Sequence, residues 1–166
     1  MSKGRRPSSG PELTRFLGVV LAVLLCNSAP ARATVGFSCG GADDTVKFVV
    51  DGAYGTSLGS GLAAFGADIN ILLPSAPDKL RNLHLDRSHV RQDWFVGRDI
   101  KILMRWEPAD TAPYREVILI VEAQRGKEEE SAYLGRYSLR VQWMPADPGA
   151  ESKRIEADGE VSCGTG

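Results

Sequence analysis

Histidine and cysteine are scarce in this chain of 166 residues, with two of the first and three of the second, and each shortage narrows what the protein can do. His84 and His89 are the only histidines, so any histidine-dependent catalysis or metal binding is confined to one stretch. No lysine stands between Lys47 and Lys79, so the glycine-rich segment there lacks the Gly-Lys-Ser/Thr closure of a phosphate-binding loop. No block of Lys and Arg marks a nucleic-acid or anionic-lipid surface. No apolar run approaches the roughly 20 residues a spanning helix needs. A complete catalytic constellation and a cofactor motif are also missing, and no cofactor is expected.

The first 33 residues read as a secretory signal peptide. Lys3, Arg5, Arg6 and Arg15 form a basic start, Phe16 to Leu25 is apolar, and Ala31-Arg32-Ala33 offers a small-x-small cleavage site. Val23-Leu24-Leu25 before Cys26 lacks the small residue of a lipoprotein signal. The surroundings of Arg5-Arg6 do not support a twin-arginine route. Removing residues 1–33 takes away five basic residues and one acidic one, which leaves 15 basic against 20 acidic and a net charge of −5. Residues 34–166 are then one exported domain without an integral span and without an electrostatic footprint for nucleic acid. No Asn-x-Ser/Thr site occurs in it, which fits a bacterial source and, in a Gram-negative cell, the periplasm.

Cys26 leaves with the signal, so Cys39 and Cys163 remain as an even pair near the two ends of the domain. In an oxidising compartment an intramolecular disulfide is the expected arrangement, with two free thiols or pairing to another chain as the alternatives.

The remaining sequence reads as strand after strand. Val46, Phe48 and Val50 alternate with polar neighbours, and so do Ile100, Ile102, Met104 and Trp106, and Tyr137, Leu139, Val141 and Trp143. The continuous run Val117-Ile118-Leu119-Ile120-Val121 predicts a strand covered on both faces. Residues 52–66 read as a glycine-rich loop with one short helical turn at Leu62 to Phe65. Asp86 to Phe95 reads as a connection, 125–131 as a hairpin tip, and Asp158-Gly159 as a bend or bulge. Roughly eight short strands without a long helical pattern predict an all-β fold, an antiparallel β-sandwich or a closed β-barrel.

Several motifs compete for a functional role. Gly55-Thr56-Ser57-Leu58-Gly59 is a literal G-x-S-x-G, and Asp86 and His89 follow in triad order. Gly55-Thr56-Ser57-Leu58 and Asp86-x-x-His89 resemble the nucleophile block and the D-x-x-H pair of the GDSL-type esterases. That resemblance implies a serine hydrolase using Ser57, Asp86 and His89. The chain departs from the family by having Thr56 where the block carries aspartate, and by lacking a good helix opening after Ser57. His84, Asp86 and His89 are the one candidate metal cluster, short of a further ligand, and no metal is expected.

Arg91, Trp94 and Phe95 form either a recognition loop or a plug for the sheet core, with the plug favoured. Leu58, Leu62 and Phe65 could gate a barrel mouth and admit an apolar ligand, or fold back onto the core. In broad plan the chain resembles the lysozyme inhibitors of the bacterial envelope, small exported β-barrels with terminal cysteines, although their active-loop motif has no residue-by-residue match here. The expectation is a non-catalytic exported domain that binds an envelope protein or serves as a structural accessory. A small apolar-ligand-binding barrel is the alternative, and the hydrolase comes third.

Overall fold

Alternating apolar residues produce strands here because every second side chain must find an interior. The computed structural model describes residues 34–55, 61–108, 113–126, 132–147 and 149–166. Nine strands are present: β1 (Thr34–Ala42), β2 (Val46–Gly55), β3 (Leu62–Ile71), β4 (Asn82–Asp86), β5 (Val90–Val96), β6 (Asp99–Trp106), β7 (Arg115–Arg125), β8 (Ala132–Trp143) and β9 (Lys153–Thr165). A four-residue helix α1 (Asp78–Arg81) precedes β4, and a 3-10 turn, Arg87–His89, separates β4 from β5. All strands belong to one antiparallel sheet in the order β4-β3-β2-β1-β9-β8-β7-β6-β5, nearly closed into a barrel.

Strand direction explains how nine strands answer an expectation of roughly eight. Every pairing is antiparallel, including β1 with β9, so an odd count forces one consecutive pair to run the same way. That pair is β4 and β5, which do not pair with each other and are joined by only three residues. A parallel crossover needs a dozen or more residues. Residues 82–96 are therefore one bent strand that pairs with β3 before the 3-10 turn and with β6 after it.

The interior is filled by side chains from both halves of the sheet, among them Phe48, Ile69, Leu85, Ile102, Leu119 and Tyr137. Glycines opposite aromatics let large rings turn inward. Phe37 pairs with Gly52, Phe48 with Gly41, and Tyr137 with Gly159. In each pair the ring occupies the space a Cβ on the glycine would need. Gly135 answers a different demand, because a Cβ there would lie 1.9 Å from the Glu122 carbonyl oxygen.

Several expectations need correction. Leu62 to Phe65 is the start of β3 and not a helical turn, and the loop before it shrinks because β2 runs to Gly55. Asp86 to Phe95 is a turn and a strand rather than a loop. Gly159 makes no bulge; the register shifts fall at Ala53/Tyr54 and Val90/Gln92. Ile118 and Ile120 are only half-buried, because the sheet nearly closes on itself and, among the described residues, no second layer covers its outside. The N-terminal 33 residues and the 127–131 tip lie outside the described residues.

The expected disulfide is present. Cys39 and Cys163 stand directly opposite each other in the β1–β9 ladder, with Cα atoms 4.0 Å apart, and both are buried. The bridge crosses the four-residue ladder that closes the sheet.

Candidate functional site

Alternation splits the expected Trp94–Phe95 plug into two opposite fates. Phe95 points inward and stacks on Tyr54 with ring centroids 4.7 Å apart, within reach of Phe37 and Tyr133. Trp94 points outward and is 51% exposed. Arg91 sits at the bulge that begins β5, and its guanidinium donates to the Ser88 carbonyl at 3.1 Å. Phe65 packs against the core from β3. Leu58 and Ser57 lie outside the described residues. Of the residues expected to bind a ligand or partner, the described ones face different ways: Trp94 outward, Phe95 and Phe65 toward the core, and Arg91 along the turn.

Two polar details mark the bent strand. Asp93 faces inward and pairs with Arg87 at 3.2 Å. The Tyr54 hydroxyl is buried beside the Asp93 carboxylate, and burial, reinforced by that carboxylate, pushes its pKa up. Inward charge and a bulge are both devices that blunt an edge strand against pairing with foreign strands.

Asp86 and His89 do come together, 2.9 Å apart, but for a local reason. Asp86 caps the 3-10 turn, accepting from the Ser88 amide at 2.9 Å and the Ser88 hydroxyl at 2.5 Å. His89 Nδ1 lies 3.2 Å from the Asp86 amide and completes a capping box. The Ser88 hydroxyl holds the Asp86 carboxyl below its ordinary pKa. In a catalytic triad the carboxylate and the serine address opposite ring nitrogens. Here Asp86 lies at Nδ1, and Ser57, the serine of the expected triad, lies outside the described residues. His84 is engaged separately, 2.8 Å from Asp68 on β3. Among the described residues no group of three or more His, Cys, Asp or Glu could hold a metal ion.

The feature that does assemble is the outer wall of β5 to β8. Register arranges its outward side chains in transverse rows. One row runs Trp94, Lys101, Glu122, Arg136; the next runs Gln92, Leu103, Ile120, Ser138; a third runs Val96, Asp99, Gln124, Leu134. Val96 and Leu134 are 58% and 66% exposed. Leu103, Ile118 and Ile120 are half-buried, with Ile118 in register between Arg105 and Arg140. Trp94, Leu103, Ile120 and Ile118 thus form an apolar diagonal across three strands, and no other element of the described chain lies over it. Lys101 and Glu122 pair across it at 3.2 Å. Sequence reasoning found Trp94 but missed Leu103 and Ile120. The signal for Ile120 was the doubly apolar run 117–121, which read as covered on both faces.

A concavity of about 530 Å³ adjoins this wall, lined by Gly40, Ala42, Leu134, Arg136, Glu160 and Ser162. It opens on the outer face of β1, β9 and β8, where Leu134, Arg136 and Glu160 are exposed, and does not enter the interior. Among the described residues no helix is long and apolar enough to cross a membrane.

No family model matches the chain, and no curated protein or solved structure matches it either.

Proposed function

We propose that the chain is an exported, non-catalytic β domain that binds a protein of the cell envelope through the outer wall of β5 to β8, with Trp94 as its anchor. The observation that carries this reading is the apolar diagonal from Trp94 to Ile118 on a wall over which no other described element lies. Contiguous apolar surface rimmed by charge is the usual mark of a protein contact, and tryptophan is enriched among anchors. The buried Cys39–Cys163 bridge fits work in an oxidising compartment. Support for an apolar-ligand barrel is weaker, since Phe95 and Phe65 turn into the core and the concavity lies outside the wall.

Hydroxyl-radical footprinting of the dilute chain, with and without envelope extract, tests the reading. Protection of Trp94, Leu103 and Ile120, judged against buried Trp143, supports it. Equal labelling in both samples, and in concentrated protein, sinks it.

A further inference from the structure

We propose that the partner for this wall is a second copy of the chain, paired through β6 and β7 about a twofold axis that runs along the strands between them. The inference rests on the protein-binding reading of the wall and names the partner. A twofold contact uses one patch twice, so the patch must complement itself after half a turn.

An axis along the strands between β6 and β7 exchanges those two strands, exchanges β5 with β8, and leaves every transverse row at its own height. In the first row Lys101 then faces the partner's Glu122, and Trp94 faces the partner's Arg136. These are an opposite-charge pair and a cation against an aromatic face. In the second row Leu103 faces the partner's Ile120, and Gln92 faces the partner's Ser138. In the third, Val96 faces the partner's Leu134, and Asp99 faces the partner's Gln124. Apart from Trp94 against the partner's Arg136, apolar meets apolar and polar meets polar in these three rows, and no like charges meet. In the row beyond them Ile118 faces the partner's Arg105.

The other in-plane axis fails the same comparison. A twofold running across the strands through Leu103 and Ile120 sets Lys101 against the partner's Arg105, and Arg136 against the partner's Arg140. Like charges placed opposite one another oppose association. Because a barrel wall is convex, β6 and β7 make the closest approach, while Trp94 and Arg136 reach in from the flanks. The Lys101–Glu122 pair, 3.2 Å apart within one chain, becomes half of a four-charge cluster with alternating signs.

Sedimentation across a concentration series, on the chain with its disulfide intact, tests the proposal. The expected result is a dimer whose dissociation constant rises at least about tenfold in Glu122→Lys. Adding Lys101→Glu to that variant restores opposite charges and brings the dimer back. Ile120→Ser gives an uncharged second disruption, and circular dichroism confirms that each variant is folded. A chain that stays monomeric to about 100 µM, or a folded Glu122→Lys variant that dimerises like the parent, overturns the self-pairing. In that event extract-dependent protection of Trp94 would still uphold the protein-binding reading, so the two ideas fail separately.

Discussion

Gly52 stands directly opposite Phe37 in the β1–β2 ladder, and the Phe37 ring fills the place where a side chain on residue 52 would begin. A Cβ there would lie 2.4 Å from the ring and 2.9 Å from the Ala64 carbonyl oxygen. Phe37 is buried and in turn contacts Tyr54 and Phe95, so the ring has little room to retreat. Gly52→Ala should therefore destabilise the domain by about 1–3 kcal/mol through overpacking. Gly40→Ala is the control, because its nearest neighbour would be 3.7 Å away, and its effect should stay within about 0.5 kcal/mol. Urea denaturation of the two variants decides, and equal midpoints would remove the packing argument.

The disulfide closes a loop of sequence separation 124 across the shortest ladder in the sheet. Chain-entropy reasoning assigns such a loop about 4–5 kcal/mol, less any strain. Replacing both Cys39 and Cys163 by alanine should lower the unfolding free energy by an amount of that order. Hydrogen exchange should speed up first in β1 and β9. A loss below about 1 kcal/mol would mean that the β1–β9 ladder holds without the bridge.

Tyr137 reaches from β8 to donate a hydrogen bond to Asp43, which also caps the β1–β2 turn by accepting from the Thr45 and Val46 amides. The Tyr137 hydroxyl lowers the Asp43 pKa from its ordinary 3.8, while burial, reinforced by Asp43, raises that of Tyr137 from its ordinary 10.0. A depressed carboxyl pKa contributes stability above about pH 4 that fades as pH falls through the folded value. A raised phenol pKa contributes stability below about pH 10 that fades as pH rises beyond it. Tyr137→Phe should flatten both limbs of the stability–pH curve. Unchanged acid and alkaline limbs would count against the coupling.

Asp86 acts as the cap of the Arg87–His89 turn, at the point where the bent strand changes partners. Asp86→Ala should lower the unfolding midpoint, and Asp86→Asn should lower it less, since asparagine also caps. Thermal unfolding of the pair checks this order. Equal losses would point to the carboxylate charge instead of the cap.

Much of the fold was legible in local pattern. Val46, Phe48 and Val50, or Tyr137, Leu139 and Val141, announce their strands because a half-buried strand alternates whatever lies beyond it. The Val90–Val96 strand was missed because Arg91, Gln92 and Asp93 break that alternation, with a bulge at its start and a charge turned inward. Phe95 and Trp94 could not be told apart while the direction of that strand was unknown. Asp86 and His89 were legible as neighbours, yet only the folded chain shows that both serve the turn between them.

The sequence by itself determined that the chain makes antiparallel strands, that Cys39 and Cys163 are matched near its ends, and which side of most strands turns inward. Those are properties of neighbours along the chain, and a period of two is enough to reveal them. Tertiary structure alone decided that the sheet closes through β1 and β9, that residues 82–96 serve two partners as one bent strand, and that no other described element lies over Ile118 and Ile120. Closure depends on register between strands far apart in sequence. A sheet that closes on itself covers one face and leaves the other to solvent or to a partner.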